Sequence, residues 1–210
     1  MGELEDKVKA LREIESKIKE CKKCPLWRGR NNAVPGEGNP NAVIMFIGEA
    51  PGRQEDLEGR PFVGAAGRLL TELLFKIGFR REDVYITNVV KCRPPGNRDP
   101  KEEEIAVCSP YLDQQIRIIK PKVIVTLGRH STLYILKKSG KRVRGGIMSL
   151  RGRFYRVNLE GKDIIVFPTL HPAAALYNPR LKDILQNDFF TIREVYQRTV
   201  GEKKGLDAFL

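Results

Sequence analysis

Apolar residues at Leu4, Val8, Leu11, Ile14 and Ile18 recur at steps of four, three, three and four, with charged residues between them. Side chains so spaced share one face of a helix, which predicts an amphipathic helix over about residues 3–20 leading directly into Cys21. Four short apolar runs rich in β-branched residues follow: Ala42–Ile47, Val84–Thr87, Val123–Leu127 and Ile164–Phe167. Each is bounded by turn residues and lacks polar alternation, as expected of strands buried on both faces. Helical spacing returns between them at Leu69, Leu70, Leu73, Leu74 and Ile77, and at Ile105, Cys108, Leu112, Ile116 and Ile119. The second of these helices is predicted to start with Asp99 as N-cap, Pro100 in the first turn and Glu102 at N3. A third follows Gly128, and Leu181, Ile184, Leu185, Ile192 and Val195 mark a last one.

Strands alternating with helices predict an α/β fold with a mainly parallel sheet, in which ligands bind outside the carboxyl ends of the strands. The residues there are Gly48-Glu49-Ala50-Pro51-Gly52, Asn88, Gly128-Arg129-His130-Ser131 and Thr169-Leu170-His171-Pro172. A carboxylate held at such an edge, Glu49, can orient a water or stabilise a cationic transition state. A neutral imidazole at His171 can donate a hydrogen bond to a developing anion. The Asn88 amide offers both donors and acceptor, enough to read the imide edge of a base. His130 begins a helix and reads as structural, and Phe62 in Arg60-Pro61-Phe62-Val63-Gly64 reads by default as core.

Composition narrows the class. Lys and Arg number 38 against 26 Asp and Glu in 210 residues, a net charge of +12. That excess points to a polyanionic partner. With 41% hydrophobic and 30% charged residues, the chain can bury a sizeable core, which excludes disorder, collagen and coiled coil. The length suits one domain over 1–210 with the N-terminal helix as an appendage. No apolar run is long enough for a membrane span, and acidic residues near the N-terminus do not suit a signal peptide, so an intracellular protein is expected. The segment from Lys137 to Arg153 carries seven basic residues and no acid, and reads as a basic loop whose Lys141, Arg142 and Arg144 would meet phosphates. Lys22, Lys23, Arg28 and Arg30 add to that charge.

In a reducing compartment, four cysteines are not expected to form disulfides. Cys21 and Cys24 form one close pair, whereas Cys92 and Cys108 are scattered. This spacing leaves zinc and an iron–sulfur cluster both open, and Cys108 alone, on the apolar face of its helix, would also serve as a core thiol.

Taken together, the sequence resembles the family 4 uracil-DNA glycosylases, the iron–sulfur type. The resemblance runs from Cys21 to about Asn187. It is carried by Cys21-Lys22-Lys23-Cys24-Pro25-Leu26, Gly48-Glu49-Ala50-Pro51-Gly52, Gly59-Arg60-Pro61-Phe62-Val63-Gly64, Thr87-Asn88, the pair Cys92 and Cys108, and His171-Pro172-Ala173. Family 5 is similar but lacks the acid of the first motif, so Glu49 favours family 4. Ala173 departs from the serine that commonly follows His-Pro.

The resemblance implies a three-layer α/β sandwich with a central four-stranded parallel sheet, and a [4Fe–4S] cluster on the four cysteines. It implies hydrolysis of the bond between uracil and deoxyribose by water, in single- or double-stranded DNA, by a cytoplasmic monomer. The termini are candidate docking points for a sliding clamp. Gly48, Phe62 and Asn88 would bind the flipped base, and His171 and Glu49 would carry the chemistry. A non-catalytic, metal-stabilised DNA-binding module is the competing class. It would account for the charge and the cysteines, but has no need of Glu49, Asn88 and His171 at three strand ends.

Overall fold

The structure, a computed structural model, describes residues 2–201. The N-terminal periodic segment is helix α1 (Gly2–Glu20), which buries Ile14 and Ile18. There follow strands β1 (Glu37–Gly38) and β2 (Ile44–Gly48), helices α2 (Arg53–Glu58) and α3 (Ala65–Lys76), strand β3 (Tyr85–Asn88) and helix α4 (Glu102–Ile119). Strand β4 (Val123–Leu127) leads to helices α5 (Arg129–Lys138) and α6 (Ile147–Leu150). Strands β5 (Tyr155–Leu159) and β6 (Lys162–Thr169) and helices α7 (Pro172–Tyr177) and α8 (Leu181–Gly201) complete the order. Met1 and residues 202–210 of the expected 1–210 unit, including the C-terminal end considered for a clamp, lie outside the described residues. No helix among the described residues is long and apolar enough to cross a membrane.

The sheet has six strands in the order β1-β3-β2-β4-β6-β5. Its centre, β3-β2-β4-β6, is parallel and consists of the four predicted strands. Side chains alternate between two buried faces, which is why the runs read as continuously apolar. Met45 and Ile47 of β2 face a core shared with α1, α4 and α5, whereas Ile44 and Phe46 face a core shared with α3, α7 and α8. The three-layer sandwich is thus as expected, but the strand count is not.

Two antiparallel edge strands extend the sheet, β1 on β3 and β5 on β6. β5 did leave a trace in the sequence: Tyr155, Val157 and Leu159 alternate with Arg156 and Asn158. The β5–β6 turn falls at Glu160 and Gly161, whose φ values of 52° and 74° suit a type I′ hairpin. β1, with two residues, is too short to show a period.

The start of α4 also differs from expectation. The helix begins at Glu102, and the Glu104 carboxylate, not an Asp99 cap, accepts the Lys101 N–H at 2.8 Å. The Asp99 carboxylate instead lies 3.1 Å from His130 Nε2. On the opposite side of the sheet, buried Asp188 of α8 accepts the Thr169 hydroxyl at 2.5 Å and pairs with Arg151. It thereby ties down the end of β6, two residues before His171.

Candidate active site

Register brings the predicted strand ends together. Gly48 lies opposite Asn88, Ile47 opposite Thr126 and Leu127 opposite Thr169, and the Gly128 N–H bonds the Thr169 carbonyl at 2.9 Å. Beyond that edge lies a cleft of about 380 Å³ lined by Glu49, Phe62, Asn88 and His171 and flanked by the loop Pro94–Asp99.

Gly48 itself supplies space. A Cβ there would strike the Asn88 Oδ1 and the Phe62 ring, so any side chain would fill the gap between them. The Asn88 Oδ1 is buried and, among the described residues, is the one buried side-chain polar atom with no hydrogen-bond partner. An orphan acceptor costs about 1–3 kcal/mol, a cost removed by any donor that enters the cleft.

Phe62 is held in left-handed backbone geometry, φ 51°. Its loop is over-determined: Arg81 donates to the Phe62 and Pro61 carbonyls at 3.0 and 2.7 Å while pairing with Glu37 at 2.7 Å. The Glu55 carboxylate accepts the Val63 and Gly64 N–H groups, both at 2.9 Å. Gly67 permits the close packing, since a Cβ on it would collide with the Phe62 carbonyl. Strain of this kind concentrates at functional positions, and Phe62 lines the cleft while also packing into the core. Its ring faces His171, centroids 5.6 Å apart.

The His171 Nδ1 accepts the Ala173 N–H at 3.2 Å, capping α7. That bond assigns the proton of the neutral ring to Nε2, the nitrogen left to donate to a ligand. Burial lowers its pKa to about 4, so the imidazole is neutral at ordinary pH.

His130, expected to be structural, lies beside the cleft residues Glu49 and Asp99. Its Nε2 lies 3.1 Å from Asp99 Oδ2 and 4.0 Å from Glu49 Oε2. Sequence reasoning missed it because Asp99, placed as a helix cap, is in fact the group His130 meets. Burial raises the Glu49 pKa, His130 opposes the rise and Asp99 adds to it.

Behind β3, the four cysteines converge on one small cavity, Cys21 and Cys24 half-buried, Cys92 and Cys108 buried, all free thiols. Arg30 donates to Cys92 Sγ at 3.1 Å and the Lys91 N–H to Cys108 Sγ at 3.2 Å, a donor shell suited to thiolates. Burial pushes the Cys108 thiol up to about 12, so a thiolate there needs a cation nearby. Single-ion zinc fits poorly: a tetrahedral site with Zn–S of about 2.3 Å places its sulfurs about 3.8 Å apart. Among the described residues, the sets of three or more candidate ligand atoms within 4.8 Å of one another include Glu49, Asp99 and His130, but no cysteines.

The basic residues divide. Lys141, Arg142 and Arg144 are exposed. Arg151 is committed to Asp188, Lys138 to Asp113 at 2.9 Å and Glu160 at 3.0 Å, and Arg30 to Cys92, so these three do not belong to a free phosphate-binding set. Residues 137–153 are also not one loop, since α5 ends at Lys138 and α6 lies within the segment.

The profile of the Uracil DNA glycosylase superfamily matches residues 35–193. A type-4 uracil-DNA glycosylase of Sulfurisphaera tokodaii is 62% identical over 187 residues, 89% of this chain and 84% of that protein. Another from Saccharolobus solfataricus is 58% identical, covering 86% and 84%, and one from Archaeoglobus fulgidus 50%, covering 90% and 94%. With the acid of the first motif in the cleft and the four cysteines together behind it, the chain belongs to the uracil-DNA glycosylase superfamily and to its type-4 group.

Proposed function

We propose that this protein excises uracil from DNA by flipping the nucleotide into the cleft and hydrolysing its N-glycosidic bond, with the base read by Asn88 and the chemistry carried by His171 and Glu49. The observation that carries this reading is the orphan Asn88 Oδ1. Uracil N3–H would donate to it while uracil O4 accepts from the Asn88 amide nitrogen; cytosine presents the reverse pattern at both atoms and leaves the acceptor unsatisfied. Phe62 would stack on the base, in the space Gly48 keeps open. Because these contacts address an extruded base, single- and double-stranded DNA both serve as substrate.

As the bond lengthens, negative charge collects on uracil O2 and positive charge on the sugar. The neutral His171, proton on Nε2, strengthens its hydrogen bond to O2 only as that charge develops, which lowers the barrier more than it tightens substrate binding. Ionised Glu49 stabilises the sugar cation and orients the attacking water. A [4Fe–4S] cluster on Cys21, Cys24, Cys92 and Cys108 would supply a rigid cross-link between the end of α1, the segment after β3 and α4. Lys141, Arg142 and Arg144 would neutralise phosphates. A non-catalytic DNA-binding module would require none of the cleft geometry.

Release of free uracil from a uracil-containing oligonucleotide tests the activity directly, and His171→Ala should lower the single-turnover rate by about 10²–10³-fold with DNA affinity nearly unchanged. A loss under about threefold would remove His171 from the bond-breaking step.

The pH profile follows from the opposing shifts. Glu49 acts as an anion and its pKa is raised, so activity should fall as pH drops through a limb above the usual carboxylate range. Asp99→Asn, which removes the neighbouring negative charge, should move that limb to lower pH, and His130→Gln should move it higher; equal limbs in all three proteins would show that another group titrates.

The purified protein should carry about four irons per chain with visible charge-transfer absorbance. Stoichiometric zinc without iron would refute the cluster. Affinity for DNA should decline with salt, each phosphate contact contributing about 0.9 to the log–log slope, and reversing charge at Lys141, Arg142 and Arg144 should flatten it. An unchanged slope would make this segment an ordinary solvated surface.

A further inference from the structure

Lys91 is the largest buried polar side chain that the chemistry above does not use, with 1% exposure. Its Nζ donates to Thr87 Oγ1 at 2.6 Å, to the main-chain carbonyl of Asn88 at 2.7 Å and to Gln115 Oε1 at 2.8 Å. All three act as acceptors toward it. The Thr87 hydroxyl gives its own proton to the Pro35 carbonyl at 2.8 Å, and the Gln115 amide nitrogen donates to the same carbonyl at 2.8 Å and to Tyr85 Oη at 3.2 Å. The Lys91 nitrogen is therefore enclosed by three oxygen acceptors drawn from two side chains and one peptide. Burying an amine is costly unless its donors are met, and here the fold supplies an acceptor for each.

What Lys91 fixes is the end of β3. The Lys91 Nζ holds the carbonyl of Asn88 while the Asn88 Oδ1 remains unpartnered at the cleft. The same residue donates its main-chain N–H to Cys108 Sγ, gives its carbonyl to the Val34 N–H at 2.8 Å and precedes Cys92 in the chain. One side chain and its backbone therefore join the cysteine centre to the amide that meets the base.

We propose that Lys91 is a positioning residue for uracil recognition, its Nζ hydrogen bond fixing the Asn88 peptide so that the side-chain amide is preset to read the base, and its backbone linking that amide to the cysteine centre. The inference rests on Asn88 as the base reader. It distinguishes Lys91 from a residue that only stabilises the fold, because a positioning role is felt in base binding.

The test uses the metal-loaded protein with Lys91→Met, Thr87→Val and Asn88→Ala in parallel, and reads inhibition by free uracil, single-turnover excision, iron per chain and affinity for abasic-site DNA. Lys91→Met should weaken uracil inhibition and slow excision by about tenfold, the scale of one buried hydrogen bond, while iron content and abasic-site affinity match the parent. Thr87→Val, nearly isosteric and lacking one acceptor, should shift uracil inhibition in the same direction by about threefold, and it decides the matter if Lys91→Met fails to fold. Unchanged uracil inhibition in iron-replete Lys91→Met, or in Thr87→Val when the former does not fold, overturns the proposal. Unchanged inhibition in Asn88→Ala removes the base-reading assignment itself, and this inference falls with it.

Discussion

Everything at the cleft depends on two parallel strands ending at the same level, with Gly48 in register against Asn88. Parallel pairing points all carboxyl ends one way, so residues from separate parts of the chain arrive at a single edge without any contact between them in sequence. Gly48 leaves a gap at that edge, and the gap is bounded by an aromatic ring on one side and an amide on the other. The Phe62 loop, the His171 turn and the Pro94–Asp99 loop then only have to close around a space the sheet has already defined.

Burial does opposite things to the two groups proposed to carry the chemistry. It raises the pKa of the Glu49 carboxyl and lowers that of the His171 imidazole, because in both cases it disfavours the charged form. For His171 the result is a neutral donor whose tautomer is set by a backbone N–H two residues on. For Glu49 the result is a tension, relieved by His130 and reinforced by Asp99, that leaves its ionisation sensitive to the loop carrying Asp99. Pairs of titratable groups whose surroundings move them in opposite senses are a common basis for dividing roles within one site.

The surface charge is less available for DNA than its total suggests. Arg151, Lys138 and Arg30 are drawn inward, to a buried carboxylate, a pair of acids and a cysteine sulfur. Near the cysteines, Lys22 and Lys23 lie over the Trp27 and Tyr111 rings, so their charge is held close to the four thiols. The three exposed basic residues after α5 form a separate patch.

Periodicity alone determined the parallel core, because a strand covered on both faces must be apolar at every position, and that pattern is local. The motifs at the strand ends were legible for the same reason: Glu49, Asn88 and His171 each follow a strand in the chain. Tertiary structure alone decided the partners. That His130 would meet Asp99 and Glu49, that Phe62 would be pinned in a left-handed conformation by Arg81 and Glu55, and that Lys91 would lie behind Asn88 depend on residues from 3 to 81 positions apart packing together. Periodicity records which side of an element is buried, not what it will be buried against, and hydrogen bonds and pKa shifts are set by the second of these.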